Sequence, residues 1–231
     1  MKKLTLDEIL YFGFFILLSI AKGLGLYEGQ KLFILLVIPA LLCGALKILL
    51  SSYTRRQWAG ILILLFLTGL VYVQSLELGI IFLMFTILGM KDISLKKIFR
   101  LGLWVWSVCA VVLCLASFTR LEHTVYRVAQ KLGLGFIFRW SLGFTHPNIL
   151  HITYLTLCAL ILYELADRFR LKHFAILMLG NVVVFLYSIS YTGFAIVTLL
   201  LTGAVYVKFR PRFALVEKIL ANLVLPGIIF I

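Results

Sequence analysis

Residues 32–50 read LFILLVIPALLCGALKILL. One cation, Lys47, is the only charge in this run, and Pro39 is its only proline. About 20 apolar residues in a helix cross the ~30 Å hydrocarbon core of a bilayer, so the run is read as a transmembrane helix, with Pro39 a kink that neighbouring helices accommodate. The rest of the chain repeats the pattern. Of its 231 residues 63% are hydrophobic, and the mean hydropathy is +1.12, against about 45–50% apolar in a soluble domain. The composition leaves no room for a sizeable soluble domain. It predicts one all-α domain over 1–231, a polytopic membrane bundle of helices.

Working outward, apolar runs over 9–26, 32–50, 58–73, 78–90, 101–118, 147–163, 174–187, 193–207 and 213–231 give about nine crossings. Ser19-Ile20-Ala21 loosely resembles a signal-cleavage site, but Asp7 and Glu8 suit no signal peptide, so the first run is read as a retained span. The last run stops in mid-hydrocarbon at Ile231 without a polar tail, from which a chain incomplete at its C-terminus is expected. Trp58 and Tyr72 stand where interface anchors stand.

The formal net charge of +13 would suggest nucleic acid in a soluble protein. Here the cations fall in short clusters between apolar runs, and no basic domain stands apart, so no nucleic-acid partner is expected. Threading the nine runs puts 16 of the 22 cations on the side of Met1. Cytoplasmic connections carry the excess Lys and Arg, so the N-terminus is read as cytoplasmic. Cys43, Cys109, Cys114 and Cys158 all lie inside apolar runs with no CxxC pair, which argues against disulfides and zinc.

One connection is long, and it lies on the outer side, over residues 119–146. It holds Arg120, Arg127, Lys131 and Arg139 against one acid, Glu122. Cations gathered on the translocated side oppose the topogenic preference, and an anionic ligand at the outer leaflet would favour them. Leu121, Val125, Val128 and Leu132 recur at i, i+4, i+7 and i+11, predicting an interfacial helix with basic groups toward the headgroups and Gly133 as its stop. A connector merely resting on anionic membrane lipids accounts for the same pattern.

The loop ends in Arg139-Trp140-Ser141-Leu142-Gly143-Phe144-Thr145-His146-Pro147-Asn148. Arginine offers a rigid fork suited to a diphosphate or carboxylate. Pro147 suits the first position of the sixth helix, whose free amides, with Asn148, would present donors to an anion. Asn148, His151, Tyr154 and Cys158 share about a third of that helix's circumference. Polar groups so near a bilayer are costly unless they face a wet cavity or a ligand, or hydrogen-bond within the bundle. A further polar stretch, Ser188 to Thr192, forms the next outer turn. The chain has no paired-carboxylate, DxD, GxSxG, HExxH or Walker pattern, so no metal and no cofactor are expected.

The run 139–148 resembles the RxSLGFxHPN element of Wzy-type polysaccharide polymerases, within the O-antigen polymerase and ligase superfamily. Members also tend to show Ser-Arg-Thr-Gly opening a later span, where this chain has Ser190-Tyr191-Thr192-Gly193. They usually have more spans and a second large outer loop. The resemblance implies a metal-independent, inverting glycosyl transfer on the outer face of the bacterial cytoplasmic membrane. A growing glycan would pass from undecaprenyl diphosphate to another lipid-linked repeat unit during surface polysaccharide (capsule or exopolysaccharide) synthesis. On that reading Arg139, His146 and His151 are catalytic, while Arg120, Arg127, Lys131, Asn148, Tyr154 and Tyr191 bind substrate. The partners would be the lipid-linked oligosaccharide, with the flippase and chain-length regulator of the pathway. A ligase moving finished glycan to another acceptor, and a non-catalytic lipid-glycan transporter or inactive remnant, share the same features.

Overall fold

A computed structural model describes residues 5–119, 125–128 and 137–209, the stretch 125–128 by its backbone. These residues form eight α-helices, one 3-10 turn (Ala166–Arg168) and one two-stranded ribbon: α1 (Leu6–Gly23), α2 (Lys31–Leu50), α3 (Arg55–Ser75), α4 (Gly79–Gly89), α5 (Leu95–Ser117), β1 (Val125–Val128), β2 (Ile137–Trp140), α6 (Pro147–Glu164), α7 (Leu171–Ser188) and α8 (Tyr191–Phe209). Five of them, α2, α3, α5, α7 and α8, are long and apolar enough to cross a membrane. Many of their large apolar side chains face outward, Leu49 at 75% and Val73 at 74% exposure among them. In water such faces would aggregate; in lipid they are solvated, and they mark a membrane protein. α4 has only 11 residues, a length of about 16 Å at 1.5 Å per residue, short of the bilayer core. The ninth run, 213–231, lies outside the described residues.

The helices end where the chain chemistry ends them. Thr5 caps α1 by accepting from the Glu8 amide, and Thr54 with Gln57 forms a reciprocal capping box on α3. Pro39 sits inside a continuous α2. α1, α2 and α4 pack together with α3 outermost, and α6, α7 and α8 form a second group; α5 joins the two by packing on α1 and α6. Tyr11, Phe14 and Ala40 centre the first group, and Cys158, Leu177, Val197 and Leu201 the second.

The two ends of the bundle differ. At one end Lys47 pairs with Asp7 at 3.1 Å, Lys97 with Glu8, and Arg100 with Glu164. At the other end Gly25 lies against Thr145, and Gly143 lies against the Leu113 carbonyl of α5. The ribbon and the start of α6 therefore sit on the end opposite the ion pairs.

The expected interfacial helix is not what forms over the described part of 121–132. Val125–Val128 pairs antiparallel with Ile137–Trp140, Tyr126 opposite Arg139. Both segments are rich in β-branched and aromatic residues, which fit a pleated surface better than a helix. A four-residue apolar pattern fits either period, and the matching segment nine residues on supplies the backbone partners that decide it.

Candidate functional site

The run that joins β2 to α6 is folded by a tight turn. The Phe144 amide donates to the Ser141 carbonyl at 3.1 Å, and both central residues, Leu142 and Gly143, have positive φ (49° and 86°). Leucine rarely adopts this region, and glycine adopts it without strain. Any side chain at 143 would also run into the Leu113 carbonyl. The turn thus seats the segment on α5 and aims the chain into α6.

α6 begins with His146 as its N-cap and Pro147 at the first position. The amides expected to be free here are not. The Asn148 amide donates to His146 Nδ1 at 3.1 Å, the Ile149 and Leu150 amides donate to the His146 carbonyl, and proline has none. His146 Nδ1 acts as the side-chain oxygen of an ordinary cap does, so the orphan donors of the first turn are consumed. Neutral His146 then carries its proton on Nε2.

Arg139, on β2, is 4% exposed. Its Nε donates to the Ser188 carbonyl at the end of α7, and Nη2 donates to Asn148 Oδ1 at 2.6 Å. Ser188 can offer that carbonyl because Ile189 takes a left-handed conformation (φ 44°) and stops the helix. Among the described residues every ion pair lies at the opposite end of the bundle, and no carboxylate reaches Arg139. Burial pulls its guanidinium below the ordinary arginine value, yet arginine stays cationic at any physiological pH. A buried cation that no described carboxylate meets is a standing attraction for an anion.

Behind Asn148 opens a cleft of about 440 Å³ between α6 and α8. Asn148, His151, Ser190, Tyr191 and Thr192 supply its polar lining, and Ile152, Leu155 and Ile196 its apolar wall. Tyr191 packs edge-on against Phe185 at 5.4 Å. Trp140 packs edge-on against Phe118 (5.9 Å) and Tyr187 (5.4 Å), closing the ribbon onto α5 and α7.

His151 is wholly buried, with Nδ1 3.0 Å from Ser188 Oγ and Nε2 2.9 Å from Asn181 Oδ1. Both ring nitrogens are thus engaged inside the protein. Asn181 and Ser188, each fully buried, were not anticipated from the sequence as site residues. Asn181 was legible as an amide stranded in the apolar run of the seventh span, where polar groups need partners. A nucleophile–His–Asn order occurs in hydrolytic relays whose nucleophile is cysteine, but the Ser188 hydroxyl is buried and lies outside the cleft lining.

Tyr154 points elsewhere. Its hydroxyl donates to the Leu177 carbonyl at 2.6 Å and packs closely on Gly180, fastening α6 to α7 outside the cleft lining. Arg127 stands opposite Phe138 in the ribbon. Arg120 and Lys131 lie outside the described residues. The structure therefore brings together Arg139, Asn148, His146, His151 and Tyr191 at one end of the bundle. No family model, no curated protein and no solved structure matches this chain.

Proposed function

We propose that the chain is a polysaccharide polymerase of the Wzy type, acting on undecaprenyl-diphosphate-linked repeat units at the outer face of the bacterial cytoplasmic membrane. The observation that carries the reading is Arg139: a buried guanidinium that meets no carboxylate among the described residues, bonded to Asn148 at the rim of a cleft lined by hydroxyls. A diphosphate leaving group needs a cation, and a sugar needs neutral donors and acceptors; the site offers both. With a cytoplasmic N-terminus and the five apolar runs before the loop each counted as a crossing, the distribution of cations favours the outer side for the ribbon and cleft.

In the transfer, a hydroxyl of the acceptor sugar attacks the anomeric carbon of the donor from the face opposite the diphosphate. The new C–O bond forms as the bond to the diphosphate breaks. The electron pair goes to the departing oxygen, and the hydroxyl proton leaves to a base or to water. Arg139, through its remaining N–H groups and with Arg120, Arg127 and Lys131 of the same loop, stabilises the charge that develops on the diphosphate. Asn148 and Tyr191 hold sugar, and exposed His146 orients the acceptor hydroxyl or takes its proton. The flippase and chain-length regulator of the pathway would be its partners. Expressing Arg139→Ala and His146→Ala in cells deprived of their own polymerase tests the reading. Normally expressed variants that give single repeat units in place of a ladder support it, and a full ladder from Arg139→Ala defeats it.

A further inference from the structure

A continuous line of hydrogen bonds runs from the middle of α8 to the cleft rim. Asn181 Nδ2 donates to the Phe194 carbonyl at 3.2 Å and to Thr198 Oγ1 at 3.1 Å. Thr198 Oγ1 in turn donates to the Phe194 carbonyl at 2.8 Å, so toward Asn181 it accepts. The Phe194 carbonyl can only accept. The Asn181 amide therefore cannot be turned round, and Oδ1 is the atom that faces His151. An amide oxygen also only accepts, so Nε2 of His151 must carry the proton and Nδ1 must be bare. Bare Nδ1 accepts a hydrogen bond from the Ser188 hydroxyl at 3.0 Å. The carbonyl of Ser188 holds Arg139 Nε, and Arg139 holds Asn148.

The imidazole has no freedom to escape this arrangement. A Cβ at Gly193 would lie 2.6 Å from His151 Cγ, so the start of α8 lies directly on the ring. Replacing Asn181 by an apolar residue would leave buried Nε2–H unpaired and allow the other tautomer, whose Nδ1–H no longer accepts from Ser188.

We propose that Asn181 is a positioning residue that fixes the Nε2–H tautomer of His151, and that His151 serves as a neutral bridge that fixes Ser188 and through it Arg139. The functional meaning rests on the glycosyl-transfer reading above; the tautomer itself does not. His151 is then a holder of the cation that meets the diphosphate, and the proton of the acceptor is handled elsewhere.

The test uses the whole protein in lipid nanodiscs, labelled with ¹⁵N-histidine and ¹⁵N-arginine, His151 signals being assigned by their loss in His151→Gln. The expected spectrum shows Nε2 protonated, Nδ1 bare, and the Arg139 Nε–H slow to exchange with water. Protonated Nδ1 in the unaltered protein overturns the inference, whether or not the protein polymerises glycan. Asn181→Leu is expected to speed Arg139 Nε–H exchange at least about tenfold and to lower kcat by on the order of 100-fold, as misplacement of a catalytic group does, with KM for the lipid-linked donor little changed. Leu177→Ala, which loosens the same helix trio without touching the relay, is expected to keep both the tautomer and kcat. An equal fall in kcat for the two variants overturns the positioning role. The expected tautomer in a protein that makes no polymer supports the inference and sinks only the functional reading.

Discussion

Arg139 commits two N–H groups to acceptors on two other elements, the Ser188 carbonyl of α7 and Asn148 Oδ1 of α6. Its planar fork does this from one rigid group, which a lysine ammonium on a flexible stem cannot copy. Arg139→Lys should therefore behave more like a deletion than a conservative change. Leaving the buried Ser188 carbonyl unpaired costs about 1–3 kcal/mol. A thermal melt in detergent should show a lower midpoint, and ladder formation should fall with it although the positive charge is kept. A fully active Arg139→Lys would mean that charge alone suffices. The sequence marked Arg139, Gly143, His146, Pro147 and Asn148 because each departs sharply from its apolar surroundings. It marked Arg139, Asn148 and the first amides of the sixth helix as groups aimed at an anion and His146 as a base, whereas His146 closes its own helix and Arg139 braces three elements.

Elements were legible to different depths. The helices followed from apolar run length, because only a helix satisfies every backbone group within one segment in lipid. Their ends were less visible, and α4 is shorter than its apolar run 78–90 because Leu78 and Met90 are its caps. The ribbon was misread as a helix, since the spacing of Leu121, Val125, Val128 and Leu132 fits 3.6 residues per turn while the decisive partner, 137–140, lies beyond the window of periodicity. On α6, sharing a face with Asn148 and His151 suggested that Tyr154 meets substrate, yet its hydroxyl reaches Leu177. Tyr154→Phe should therefore lower stability by about 0.5–1.5 kcal/mol, the net worth of one such bond, with KM for the lipid-linked donor unchanged. A raised KM with unchanged stability would restore the substrate contact. The pairing of His151 with Asn181 and Ser188 was out of reach of the sequence, because it depends on how three helices rotate about their axes.

At the scale of the whole molecule, the ion pairs gather at one end and the ribbon, cleft and buried cation at the other. The proposed orientation turns the first end to the cytoplasm. In a background with Cys43, Cys109, Cys114 and Cys158 replaced, a membrane-impermeant maleimide should label Thr145→Cys in intact cells and Arg168→Cys only after permeabilisation. The opposite pattern would invert the molecule and remove the cleft from its proposed substrate. The central claim is that the buried guanidinium of Arg139 supports transfer of a glycan from a lipid diphosphate to a second repeat unit. The most direct measurement follows products by mass spectrometry after purified protein is reconstituted with undecaprenyl-diphosphate-linked repeat units and a metal chelator. The account predicts joined repeat units on one carrier with one undecaprenyl diphosphate released per linkage, and neither product from Arg139→Ala. Equal product from Arg139→Ala, or product that requires added metal, would contradict it.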